Sequence, residues 1–337
     1  MTENYFHIDE LILESGAVLK QVNACYHTAG ELNDDQSNAI VICHALTANS
    51  NVVDWWCGLV GTGKLIDPAK YFIICINSLG SFYGTTGPRS ISPETNKPYG
   101  LDFPFFSVRD VAKLNALVLK GLGLNKIHLG LASSFGGYQL LEMQFEDLCF
   151  ENTVYISTSA EESTWGRAIH STQRIALETD PTFAENNEDS GEKGVVAARS
   201  IGMLTYRGCD AFNLSQNEND NDKLRDFRVE SYMRYQGQKL ANRFHAHCYY
   251  KMSECLDSHN IARNRFDSIE LALASLETRT LVVGVSSDLL TPPSNQKLMA
   301  KHMPNAVYQE IESDFGHDGF LVESEKLSTL IDAFLRY

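Results

Sequence analysis

No stretch of the 337-residue sequence approaches the ~18 apolar residues that a membrane-spanning helix requires, so no helical membrane anchor is expected. The opening MTENYFHIDELILESG has no positive segment followed by an apolar one, and so does not read as a secretory leader. Positive charge is scarce: 28 Lys and Arg stand against 43 Asp and Glu, a formal net charge of −15. Nucleic acid and anionic membrane surfaces both demand a basic face, so neither is an expected partner, and an anionic substrate would need a local basic pocket. The eight cysteines include no C-x-x-C pair. Several, such as Cys43 in AIVICH and Cys75 in YFIICI, lie in apolar runs and read as reduced core thiols of a cytoplasmic protein. No metal site and no permanently bound cofactor is expected. There is no internal repeat. What is present is 43% hydrophobic residues, enough for a large core in one α/β domain or two smaller ones.

Short, nearly continuous apolar runs alternate with helical patterns, the mark of a mostly parallel sheet flanked by helices. The expected strands are residues 39–44, 71–76, 127–132, 153–158, 280–285 and 306–311. Ahead of them, two alternating segments around Ser15-Gly16 predict an antiparallel hairpin, and residues 109–122 and 134–147 have helical spacing. From about 160 to 277 the strand rhythm stops. WGRAIHSTQRIALE, GVVAARSIGMLTY and VESYMRYQGQKLANRFHAHCYYKMSECLD read as helical patterns, separated by the polar tracts AENNEDSGEKG and SQNENDND, which read as solvated loops. The expected architecture is an α/β core of residues 1–159 and 278–337 with a helical insertion at 160–277.

The segment GLASSFGGYQLLE places Ser134 between an apolar strand, IHLGLA, and a helical pattern. A nucleophile at such a strand-to-helix turn needs small residues two before and two after it, and Ala132 and Gly136 meet that need. Alone, a short serine motif is weak, because serine needs an imidazole base and the imidazole needs a carboxylate to fix its tautomer. Asp288 in VVGVSSDLLTPP and His317 in YQEIESDFGHDGF each follow a predicted strand, in the order Ser, Asp, His that such sheets use. An oxyanion would take the backbone N–H of Phe135 and, from the loop HALTANSN, that of Leu46. His44 reads as a hydrogen-bonded residue that shapes this loop.

These pieces resemble the homoserine O-acetyltransferases of the α/β-hydrolase superfamily. The likeness runs in order through NAIVICHALTANS, the long SLGSFYGTTGPRSISPETNKPYG segment, SVRD, SSFGGYQLLE, Thr205-Tyr206-Arg207, VESYMRYQGQKLANRF, SSDLLTPP and GHDGFL. The resemblance implies an α/β-hydrolase fold, a helical lid at 160–277 that commonly forms a dimer interface, and acetyl-CoA as co-substrate. It implies a ping-pong transfer of acetyl through Ser134 to the side-chain hydroxyl of L-homoserine in methionine synthesis, with His317 as base in both halves. It also implies that Arg207 binds the homoserine carboxylate and Asp318 its amino group, roles that a planar guanidinium and a counter-charge suit.

The chain departs from the family at Ala132-Ser133, where a Gly-Gly pair is usual, at RFHAH in place of RFDAN, and at the acidic tract after Asp180-Pro181. His245 and His247 of RFHAH read as structural. Left open are a succinyl donor, serine as acceptor, an ester or thioester hydrolase using the same residues, and a catalytically silent binding protein. A succinyl carboxylate would want a cation from among Arg89, Arg207, Arg234 and Arg243.

Overall fold

The computed structural model describes residues 1–336. The chain opens with β1 (Thr2–Ile12) and β2 (Val18–Ala29), an antiparallel hairpin that turns at Gly16 with φ +85°. There follow β3 (Ala39–Cys43), β4 (Phe72–Ile76), α1 (Val108–Gly121), β5 (Lys126–Ser133), α2 (Phe135–Met143) and β6 (Cys149–Ile156). Between β6 and the next strand lie α3 (Thr164–Glu178), α4 (Glu192–Tyr206), α5 (Cys209–Ser215), α6 (Arg228–Ala241), α7 (Ala246–Asp257) and α8 (Ile269–Ala274). The chain then completes β7 (Arg279–Val285), α9 (Pro293–His302), β8 (Ala306–Ile311), the short α10 (Gly319–Val322) and α11 (Ser324–Leu335).

The strands form one eight-stranded sheet in the order β1-β2-β4-β3-β5-β6-β7-β8. Pairing is antiparallel from β1 to β2 and from β2 to β4, and parallel at every other step. The central parallel strands β3 and β4 are apolar throughout because both faces are covered, whereas the edge strand β8 keeps Gln309 and Glu310 exposed. Along β3, Ile40 and Ile42 enter the core on one face while Val41 and Cys43 enter the other. Burying such side chains contributes about 1.5–3 kcal/mol each. The parallel arrangement also brings the C-terminal ends of β3, β5, β6, β7 and β8 to one edge, which is where ligands bind in open α/β sheets.

Three features differ from the expectations. The segment read as one helical pattern over 229–257 is broken at residues 242–245. There His245 caps α7, its Nδ1 accepting the His247 amide at 3.1 Å, and Arg243, although exposed, reaches across to donate to the Thr47 carbonyl and the Tyr83 hydroxyl. The acidic tract before α4 is more than a solvated loop: Asn186 accepts from Arg89 at 2.8 Å and donates to the Pro98 carbonyl at 2.7 Å, folding the tract onto the 88–99 loop. Of the eight free cysteines, Cys25, Cys43, Cys75, Cys248 and Cys255 are core thiols, but Cys57, Cys149 and Cys209 are exposed.

Candidate active site

β5 delivers the chain directly into α2, and the residue at the junction, Ser134, has φ +52° and ψ −129°. A positive φ at a residue bearing a Cβ costs about 1–3 kcal/mol and persists only where the surroundings impose it. Here they do. The Ser134 amide donates to Ile156 O at 3.0 Å, and its carbonyl accepts from the Gly137 amide at 2.8 Å and from Thr158 Oγ1 at 2.9 Å. The small neighbours have a steric reason: a Cβ on Gly136 would sit 2.0 Å from the carbonyl oxygen of Cys43. Only glycine lets the start of α2 pack on the end of β3.

Asp288 follows β7 and is buried. Its Oδ1 accepts the amides of Leu290 and Thr291, both at 2.9 Å, and its Oδ2 accepts the Thr291 hydroxyl at 2.8 Å. The remaining contact is the decisive one. His317 Nδ1 donates to Asp288 Oδ2 at 2.8 Å, and His317 Nε2 lies 2.8 Å from Ser134 Oγ, so the Asp-held tautomer leaves Nε2 to accept the serine proton. Burial alone would lower the His317 pKa; the charge and hydrogen bond of Asp288 outweigh it and raise the pKa above the ordinary histidine value. Thr291, which sequence reasoning missed although it lies in the quoted SSDLLTPP, fixes the carboxylate from behind and lies 3.2 Å from His317 Nδ1.

The Phe135 amide opens α2, where a helix provides no internal acceptor, and Leu46 lines the same cavity as Ser134. The loop carrying Leu46 is set by His44, as expected of it. His44 Nδ1 donates to Ala45 O at 2.8 Å and Nε2 accepts the Ser78 amide at 3.0 Å. Complete burial pushes its pKa down to about 4, so it stays neutral and keeps this pattern.

The cavity measures about 510 Å³ and has Ser134, His317 and Asp318 in its wall. Asp318 and Arg207 are paired with each other, Oδ2 to Nε at 2.8 Å, and Arg207 is not among the residues lining the cavity. Burial raises the Asp318 pKa, against the pull of Arg207, Arg199 and His317. Beside this pair the backbones of the helical segment and the sheet edge touch: a Cβ on Gly208 would lie 2.2 Å from Asp314 O, and one on Gly316 would lie 2.6 Å from the Gly208 nitrogen. Of the four arginines considered from sequence, Arg243 reaches the cavity wall, Arg89 binds Asn186, and Arg234 pairs with Glu230 on the surface. Arg199, Lys239 and His170 also line the cavity and were missed, since helical periodicity marks a polar face without saying what it faces. His245 and His247 hold backbone carbonyls, of Asn187 at 3.0 Å and Phe183 at 2.7 Å, as structural residues do.

One group of metal-type donors occurs among the described residues. Glu3, Cys25 and His27 of the β1–β2 hairpin bring one ligand atom each to within 4.8 Å of one another, although no metal site was expected there. His27 Nδ1 is already committed to Ser50 Oγ at 2.7 Å. The cluster is remote in sequence from the serine chemistry, which needs no metal: an aligned hydroxyl, imidazole and carboxylate beside free amides is an arrangement for acyl transfer through the serine.

Comparison with known proteins agrees with this geometry. Residues 38–144 match the family described as alpha/beta hydrolase fold. The homoserine O-acetyltransferase of Cyclobacterium marinum is 40% identical over 99% of this chain and 95% of its own length, and that of Chloroherpeton thalassium is 40% identical over 96% and 86%. The crystal structure of homoserine O-acetyltransferase from Bacillus anthracis superposes with a TM-score of 0.92 at 25% identity, covering 100% of this chain and 98% of that one. With an eight-stranded α/β-hydrolase sheet, a serine, histidine and aspartate aligned at its edge, and relatives of this identity over nearly its whole length, the chain belongs to the homoserine O-acetyltransferase family.

Proposed function

We propose that the protein moves an acetyl group from acetyl-CoA to the side-chain hydroxyl of L-homoserine by a ping-pong mechanism through Ser134, as a step of methionine biosynthesis. The observation that carries the reading is the Ser134–His317–Asp288 chain, two contacts of 2.8 Å in a cavity large enough for a small substrate, within a family whose members carry that activity in their names.

In the first half, Ser134 Oγ attacks the thioester carbonyl while His317 Nε2 takes its proton; Asp288 stabilises the imidazolium, and the Leu46 and Phe135 amides receive the oxyanion. Collapse expels CoA, which leaves as the thiol with the proton from His317. In the second half the homoserine hydroxyl attacks the acetyl-serine, gives its proton to His317, and the ester departs as Ser134 recovers that proton. Asp318 takes the ammonium and Arg207 the carboxylate of the acceptor. An amino-acid zwitterion is then a two-point replacement for the Arg207–Asp318 pair.

The helical segment at 160–277 acts as a lid over the core formed by 1–159 and 278–337, a division supported by its reaching the cavity through Arg199, Lys239 and Arg243. The exposed Leu204, Leu214, Leu224 and Tyr235 of this segment favour a homodimer through the lid helices. Free thiols and an acyl-CoA co-substrate support a cytoplasmic setting.

The test is thiol release from acetyl-CoA and from succinyl-CoA, each with and without L-homoserine, with the product identified by mass. Homoserine-dependent release from acetyl-CoA yielding O-acetylhomoserine is the expected result. Release that ignores homoserine overturns the transferase reading, and preference for succinyl-CoA overturns the donor.

A further inference from the structure

A second histidine–aspartate pair, whose histidine lines the cavity, is unused by the chemistry above. His170 of α3 is 5% exposed, and its Nδ1 lies 2.8 Å from Asp257 Oδ1 at the end of α7. The other carboxylate oxygen takes Arg174 at 2.6 Å, Arg174 is braced on Ser253 Oγ at 3.1 Å, and Arg167 donates to the Asp257 carbonyl at 3.1 Å. With Nδ1 held against the carboxylate, the tautomer that donates to Asp257 presents a lone pair on Nε2. Among the described residues none donates to that nitrogen, and His170 is part of the cavity wall that also holds Ser134.

The neighbours define what such an acceptor suits. Leu256, next to Asp257, and Leu290, next to the carbonyl that accepts Trp165 Nε1 at 2.8 Å, line the same cavity. Of the charged residues of the wall, which include Asp54 and Lys239, Arg199 lies over the Tyr206 ring, Asp318 pairs with Arg207, and Arg243 donates to Thr47 and Tyr83. Those groups answer a charged substrate. An imidazole lone pair in a wall that also carries Leu256 and Leu290 answers a neutral N–H or O–H set in an apolar chain. The carrier arm of an acyl-CoA is such a chain, with amides separated by methylenes.

We propose that His170, oriented by Asp257, is a hydrogen-bond-accepting subsite of the reaction cavity that takes an amide N–H of the acyl donor's carrier arm. The assignment rests on the transferase reading. It makes His170 a residue for recognising the donor and leaves the acceptor to Asp318 and Arg207.

The test compares His170→Leu and His170→Gln with the unaltered protein, using acetyl-CoA and, as a donor of the same acyl group without the arm, S-ethyl thioacetate. Losing one hydrogen bond should raise KM for acetyl-CoA about tenfold in His170→Leu. The glutamine carbonyl should restore most of it. KM for L-homoserine and the rate with S-ethyl thioacetate should not move. In nitrogen-15-labelled unaltered protein, the His170 Nε2 resonance should shift on addition of CoA and stay in place on addition of homoserine, which keeps the proposal testable even if a variant folds poorly. A KM change for homoserine, an equal loss with S-ethyl thioacetate, or an Nε2 resonance that ignores CoA overturns the subsite. If the unaltered protein turns over no acetyl-CoA and binds no CoA, the transferase reading falls and the subsite with it; normal turnover with unchanged constants in both variants overturns the subsite alone.

Discussion

At the sheet edge, Ser134, Asp288 and His317 follow within a few residues of strand ends, and each is fixed by hydrogen bonds to neighbouring backbone or to one another. In the helical segment, Arg199 of α4, Lys239 of α6 and Arg243 just past α6 reach the same cavity on long side chains, and the same segment leaves Leu214 77% and Leu224 91% exposed. The difference separates two tasks. Bond-making needs groups held to a fraction of an ångström, and a parallel sheet supplies that; recognition of a substrate tolerates adjustable arms, and a set of helices supplies those.

If that division holds, substitutions at the edge should act on kcat and substitutions in the helices on one substrate at a time. The largest effect is expected from Ser134→Ala, a loss in kcat on the order of a millionfold with circular dichroism unchanged; retained turnover would remove the serine from the mechanism. Asp288→Asn should cost about ten-thousandfold in kcat by disturbing the His317 tautomer. The same variant carries a sign. In the unaltered protein His317 must be neutral to act as base and its pKa is raised, so kcat/KM should climb with pH through a limb above 6.5. Without the Asp288 charge that limb should move to lower pH, and a stationary limb would assign it to another group.

Smaller and more selective is Arg207→Ala. Acylation of the enzyme by acetyl-CoA should survive while transfer to homoserine falls about ten- to a hundredfold, the range of a charge-assisted contact. Equal loss in both half-reactions would show that the Arg207–Asp318 pair supports the fold and not the acceptor. The smallest effect is thermal. Burial pushes His44 and His245 down to about 4 and His259 to about 3, so the unfolded chain binds protons that the folded one refuses below 6.5. Stability should therefore fall as pH drops from 6.5 towards 4. His317 works in the opposite sense, its contribution being full below 6.5 and lost as pH rises through its raised pKa. A melting temperature that rises on acidification over that window would contradict the burial of the three neutral histidines.

The strands were legible because a strand covered on both faces must be apolar at every position: the run AIVICH became β3 with all five of its residues buried. Ser134, Asp288 and His317 were legible because each stands where an apolar run ends. Thr291 was not, since a hydroxyl three residues past an aspartate has no periodicity of its own. Nor was the break at 242–245, where propensity allows a helix to continue and the long-range contacts of Arg243 with Thr47 and Tyr83 accompany its end. Arg199 and His170 lie on helices whose polar positions could as well face solvent, and only the packing of α3 and α4 over the sheet edge tells which do not.

The meeting of Gly208 with Gly316 limits how the molecule can move. Two backbones in contact, with an ion pair beside them, make a weld between the helical segment and the loop that carries the imidazole. Any swing of the helices that opened this seam would drag His317 away from Ser134, so a door that admits ligand without disarming the nucleophile has to hang from here and open on the opposite side.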